Sequence, residues 1–113
     1  TPVLPDDKEL LRGKCIIAIG SYMPEMREIP DAVLDLVDNV YIELPYACEE
    51  SGDLSQPLAS GKLTKDRVKL MHEYLVSGEK EIKEGQTTYF KSVGMGLFDV
   101  CIAQKLYEVA KEK

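Results

Sequence analysis

The stretch Lys14-Cys15-Ile16-Ile17-Ala18-Ile19, running into Gly20-Ser21-Tyr22-Met23-Pro24-Glu25-Met26-Arg27-Glu28, decides the fold. Its continuous apolar, β-branched run predicts a strand buried on both faces. A matching unit closes the chain, where Thr87-Thr88-Tyr89-Phe90-Lys91-Ser92-Val93 leads into Gly94-Met95-Gly96. In an open α/β sheet, ligands bind beyond the carboxyl ends of the strands. Two strands that each end in such a loop therefore mark a candidate site.

Working outward, segments of helical and strand pattern alternate. Asp6 to Arg12 predicts a short helix, capped by Asp6 or Asp7 and stopped at Gly13. Pro30 suits the first turn of a helix running to about Asp38, with Val33, Leu34, Leu36 and Val37 as its apolar stripe. Val40-Tyr41-Ile42 predicts a second strand, ended by Pro45. One or two helical turns to Ser51 and a helix over Asp53–Ser60 follow, stopped by Gly52 and Gly61. Thr64 reads as the N-cap of a helix with Val68, Met71 and Leu75 on one face, ending at Gly78. Glu79 to Gln86 predicts an exposed loop and Thr88-Tyr89-Phe90 the third strand. From Leu97, the positions Phe98, Cys101, Ile102, Leu106 and Val109 mark a long amphipathic helix, with Lys111 and Lys113 suiting its C-terminal dipole. Strands separated by helices imply an α/β fold with a parallel sheet. About three strands with flanking helices make a partial doubly wound, Rossmann-like sheet, without the half that opens on a glycine-rich phosphate turn.

With 113 residues and 44% hydrophobic composition the chain fits one domain or part of one. A formal charge of -6 argues against a nucleic-acid partner that tracks phosphates. No apolar run approaches the roughly 20 residues of a membrane span, and Thr1-Pro2 opens a polar turn rather than a basic-then-apolar leader. Cys15, Cys48 and Cys101 are widely spaced, no CxxC occurs and His72 is the single histidine, which argues against zinc. The cysteines read as buried free thiols suited to a reducing cytoplasm.

Several side chains carry two readings. Gly94-Met95-Gly96 is a fragment of a phosphate-binding turn, or merely close helix–strand packing. Lys91 at a strand end offers a cation to a phosphate or carbonyl, or lines the rim of the sheet. Glu43, ending the second strand, orients a ligand hydroxyl or amine, or is solvated. Arg27 and Glu28 suggest a local ion pair that fixes the first loop. Ser51-Gly52-Asp53 reads as a turn and helix cap. His72 reads as a surface residue, and no Ser/His/Asp or Cys/His triad can be built around it.

Taken in order, the blocks Ala18-Ile19-Gly20-Ser21 with Pro24 and Arg27-Glu28, Val40-Tyr41-Ile42-Glu43, Glu50-Ser51-Gly52-Asp53-Leu54 and Phe90-Lys91-Ser92-Val93-Gly94-Met95 resemble the ornithine cyclodeaminase/mu-crystallin family. Asp99 and the helix ending in Tyr107-Glu108 also fit. The resemblance implies that residues 1–113 are the second half of a dinucleotide-binding domain with a C-terminal helix, within a longer protein that is usually a homodimer. It implies NAD or NADP as cofactor and a small-molecule substrate, an amino acid or its cyclic imine; the cytoplasm, and the expectation of neither nucleic acid nor membrane as partner, rest on the thiols, charge and hydropathy above. Ile19, Gly20 and Ser21 resemble the backbone passing under the nicotinamide, Lys91 the family's cofactor-contacting lysine and Ser92 a neighbour of the substrate. Tyr22 stands where cyclodeaminases carry an acid/base aspartate, and Met26 where they carry a lysine. Tyrosine, with an unperturbed pKa near 10, is no simple replacement. Hydride transfer between a nicotinamide and an amino acid or imine is thus expected rather than ornithine cyclisation. The alternative is a stand-alone, non-enzymatic ligand-binding or oligomeric module.

Overall fold

Asp7 accepts a hydrogen bond from the Glu9 amide and so starts the first helix, α1 (Lys8–Leu11), whose Leu11 is buried. The structure, a computed structural model, describes residues 2–78, 83–94 and 96–112. In order follow β1 (Cys15–Ala18), α2 (Asp31–Leu36), β2 (Val40–Ile42), α3 (Ala47–Glu50), α4 (Gly52–Ser60), β3 (Val68–Leu70), α5 (Met71–Ser77), β4 (Thr88–Lys91) and α6 (Gly96–Lys111). The strands form one parallel sheet in the order β1-β4-β2-β3. The fold is the expected α/β class, with four strands rather than about three. Residues 79–82 of the loop predicted over Glu79 to Gln86, and the Met95 position of the glycine turn, lie outside the described residues.

The additional strand is β3. Val68, Met71 and Leu75 suggested one helix from Thr64, but Val68 and Leu70 pair with Val40 and Ile42. A short 3-10 turn over Lys65–Arg67 precedes the strand, and the helix begins only at Met71. Pairing with a neighbouring strand outweighs a three-point helical spacing that begins on a β-branched residue. Arg67 anchors the new strand: its guanidinium donates to the carbonyls of Leu34 at 2.6 Å, Val37 at 2.8 Å and Asp38 at 3.1 Å. These include carbonyls that the end of a helix leaves open, and α2 has no basic residue in its last turn.

Register fixes which side chains share a face. Ile16, Tyr89 and Val40 lie in one row and Ala18, Lys91 and Ile42 in another, and all six are buried. All but Lys91 join Val33, Leu34, Ala47, Leu54 and Leu63 in the hydrophobic core. Leu54 is fully buried there, so Leu54→Ala is expected to lower unfolding free energy by about 2–5 kcal/mol, read from denaturant midpoints.

The expectation that Lys14–Ile19 is buried on both faces is corrected. The strand alternates, with Ile16 and Ala18 buried and Cys15 and Ile17 exposed. Cys15 and Cys101 are therefore exposed thiols and Cys48 is half-buried, rather than three buried ones. The amphipathic α6 forms as predicted, but none of its described residues is buried. Leu97, Phe98, Val100, Ile102, Leu106 and Tyr107 all face outward. Among the described residues, no helix is long and apolar enough to cross a membrane, and no group of three or more His, Cys, Asp or Glu is placed to hold a metal ion.

Candidate functional site

Three neighbouring parallel strands end at the same edge. Ala18, Lys91 and Ile42 form their last paired row, so the residues that follow—Ile19-Gly20-Ser21-Tyr22, Ser92-Val93-Gly94 and Glu43—emerge side by side. The structure thus brings together Ile19, Gly20, Ser21 and Ser92, as the two-loop reading expected. The Ser92 amide continues the ladder by donating to Ala18 O at 3.0 Å.

The first loop is held from within. Ser21 is buried: its hydroxyl donates to Met26 O at 2.6 Å and lies 2.8 Å from the Ser51 hydroxyl. With that side chain engaged, only the backbone is left to meet a ligand. Gly20 donates its N–H to Glu28 Oε2 at 3.1 Å. A Cβ on Gly20 would lie 1.9 Å from Glu28 Oε1, so glycine is what lets the carboxylate close over this turn. Ile19 and Tyr22 stay exposed beside it. A cleft of about 340 Å³ opens along the loop between Gly20, Ser21, Met26 and Glu28.

Arg27 and Glu28 do not form the expected pair. Arg27 pairs with Asp31 and donates to Ile29 O at 2.9 Å, leaving Glu28 free for Gly20. Longer-range bonds do the fixing. The Gly52 N–H donates to Met23 O at 2.9 Å, and Gln56 Nε2 to Pro24 O at 2.9 Å. Asp53 Oδ1 accepts the amides of Glu28 at 2.7 Å and Ile29 at 2.9 Å. Ser51-Gly52-Asp53 is thus a helix cap, as its composition suggested, and also the brace of a loop some 25 residues earlier.

Lys91 lies beneath this edge. Its side chain is 0% exposed and its ammonium sits 3.3 Å from Asp53 Oδ2, itself 0% exposed. It shares the buried face of β4 with Tyr89, whose phenol has no hydrogen-bond partner among the described residues. Burial, and then the nearby Asp53 carboxylate, push the Tyr89 pKa well above the usual tyrosine value. Lys91 reaches the first loop through Asp53.

The second loop has its own brace. Glu43 is 6% exposed rather than solvated. Its Oε2 accepts the Ser92 hydroxyl and its Oε1 the Val93 N–H at 2.9 Å. The Gly94 N–H returns to Ser92 Oγ at 3.1 Å, and the Tyr46 hydroxyl donates to Gly94 O at 2.8 Å. Gly94 adopts φ 87°, a left-handed conformation that favours glycine at the turn into α6. His72 is exposed on α5, as expected of a surface residue.

Sequence reasoning placed the loops but missed the hubs. Asp53, Ser51 and Glu28 act across separations of 8 to 30 residues, and no local spacing announces such pairings.

The whole of residues 1–113 matches the model of the ornithine cyclodeaminase/mu-crystallin family. The chain belongs to that family. It is 35% identical over 116 residues to a Delta(1)-pyrroline-2-carboxylate reductase of Bacillus cereus, a match covering 100% of this chain and 35% of the relative. Among solved structures, the probable ornithine cyclodeaminase from Bordetella pertussis Tohama I superposes with a TM-score of 0.78 at 28% identity, covering 99% of this chain and 36% of that one. The Thermococcus litoralis Delta(1)-pyrroline-2-carboxylate reductase, solved with NADH and L-proline, superposes with a TM-score of 0.79 at 23% identity, over 98% of this chain and 35% of that one, and shares the fold. The chain spans about a third of the length of the curated relatives it matches. This member of the ornithine cyclodeaminase/mu-crystallin family carries Tyr22 in the first of its two braced loops.

Proposed function

We propose that this chain is the second half of a dinucleotide-binding domain, with its C-terminal helix, in an NAD- or NADP-dependent enzyme that interconverts a cyclic imino acid and the corresponding amino acid. The observation that carries the reading is the alignment of Ile19-Gly20-Ser21 and Ser92 on adjacent strand ends, each held by a buried carboxylate or hydroxyl network. The relatives' names supply the substrate class: one is a Delta(1)-pyrroline-2-carboxylate reductase, and another of that name was solved with NADH and L-proline.

The residues fit the nicotinamide end of such a cofactor. Ile19, 73% exposed, offers an apolar surface to a flat ring, and the glycine at position 20 lets Glu28 close on the turn from within and hold it in place. When bound, the nicotinamide supplies or accepts the hydride. The chain supplies orientation: Ile19, Gly20 and Ser21 support the ring through backbone and apolar contact, and Lys91 secures that loop through Asp53. Tyr22 and Ser92 border the substrate. With Tyr22 in place of an acid/base aspartate, ring closure of ornithine is not part of the reading. The exposed apolar faces of β1 and α6 are surfaces for the rest of the protein and for a homodimer in the cytoplasm.

The test is the complete protein, assayed with 1-pyrroline-2-carboxylate and NADH or NADPH by loss of reduced-nicotinamide absorbance. Turnover of the imine, with no ammonia release from ornithine, is the expected result. Absence of both dinucleotide binding and imine reduction would overturn the reading.

A further inference from the structure

A serine hydroxyl has one proton to give and two lone pairs to receive with. At Ser92 the proton is committed, because Glu43 Oε2 accepts it, and an ionised carboxylate can only accept. One lone pair is committed as well, to the Gly94 N–H at 3.1 Å. Glu43 cannot easily turn away: it is 6% exposed and its other oxygen holds the Val93 N–H at 2.9 Å. Half-buried Ser92 is thus left, among the described residues, with a single unsatisfied lone pair at the carboxyl edge of the sheet.

We infer that Glu43 is a positioning residue that fixes Ser92 as a hydrogen-bond acceptor, so that this edge selects a ligand presenting an N–H donor. The inference rests on the proposed reductase reading and deepens it. Two groups of that reaction carry the required N–H: the carboxamide of a nicotinamide and the nitrogen of a protonated cyclic imine. A carbonyl or ether oxygen at the same place would meet the lone pair with no proton between them, and is disfavoured.

Glu43→Gln tests the polarity in the complete protein. The glutamine amide can donate to Ser92 Oγ, which releases the serine proton to point outward and turns an acceptor into a donor. Ser92→Ala removes the group altogether and keeps the test open should Glu43→Gln fold poorly. Binding of NADH is compared with binding of the analogue in which a methyl ketone replaces the carboxamide, by nicotinamide fluorescence. The KM and kcat for 1-pyrroline-2-carboxylate are measured in parallel. If the donor is the carboxamide, wild type favours NADH over the analogue by roughly tenfold, and both variants erase that preference. If the donor is the imine nitrogen, the preference is untouched while KM for the imine rises roughly tenfold in both variants and kcat changes little. In either case the double variant loses no more than Ser92→Ala alone. Unchanged discrimination and unchanged KM in both variants, or losses that add in the double variant, would overturn the inference. A wild-type protein that binds NADH but reduces no cyclic imine would sink the substrate reading and leave the carboxamide comparison to decide on Glu43. One that binds neither dinucleotide overturns both.

Discussion

Replacing Lys91 with methionine is expected to destabilise the folded protein by about 3–5 kcal/mol, among the largest effects of any single change in this chain. Methionine fills much of the same volume, so the loss is not one of packing. It arises because Asp53 would keep its two amide bonds through Oδ1 while Oδ2, 0% exposed, lost the ammonium 3.3 Å away. An unpaired buried charge costs far more than the net value of the pair it belonged to. Asp53→Asn has a comparable effect from the other side, stranding the ammonium. The double variant should be more stable than either single one, because no charge then remains in the core, and asparagine Oδ1 can still accept the Glu28 and Ile29 amides. Denaturant unfolding of the four proteins measures this directly. If the two single losses simply add in the double variant, Lys91 and Asp53 do not act as a pair.

Gly52→Ala carries the second large effect. A Cβ there would lie 2.2 Å from Met26 O and 2.5 Å from Pro24 O, both backbone atoms that no side-chain rotation can move. Relief requires displacing residues 23–26 from the start of α4. That breaks the Gly52 N–H bond to Met23 O and shifts the carbonyl that receives the Ser21 hydroxyl. The expected cost is about 3 kcal/mol, accompanied by weaker dinucleotide binding, since the strained loop is the one proposed to support the nicotinamide. Gly61→Ala provides the comparison. Its φ of +81° makes alanine unfavourable by about 1 kcal/mol, but nothing lies within 4 Å of the added carbon. Thermal unfolding should therefore separate the two glycines. Equal losses would mean that backbone conformation, not contact with the loop, is what position 52 requires.

Strand–loop–helix order was legible because it is written locally. The apolar run at Ile16–Ile19, the glycines at 13, 20, 61 and 78 and the caps at Asp7 and Ser51 each act within a few residues. Element boundaries that depend on a distant partner were not legible. Val68–Leu70 becomes a strand because β2 presents an open edge and because Arg67 caps α2. Likewise, whether β1 is covered on one face or two depends on what packs there, and an apolar run does not report it. At the site, the order of the motifs located the edge. The division of labour within it needed the third dimension: a lysine read as facing a ligand is paired beneath the sheet, and a glutamate read as ambiguous holds the serine beside it.

The strand order bears on how the chain acquires its structure. β4, the last strand in sequence, lies between β1 and β2, which do not pair with each other. Among the strands of this chain, β1 has no partner until Thr88–Lys91 is available, and the β2 side of the β2–β3 pair stays open until then. The central ladder must therefore form late, from partners 73 residues apart at Cys15 and Thr88, with the loop-closure entropy that such separation entails. Lys91 comes in on that same strand, so Asp53 waits without its counter-charge until the final pairing. Until then the edges of β1 and β2 that receive β4 stay unpaired in a nascent chain, a window in which chaperone capture or mispairing competes with the native insertion.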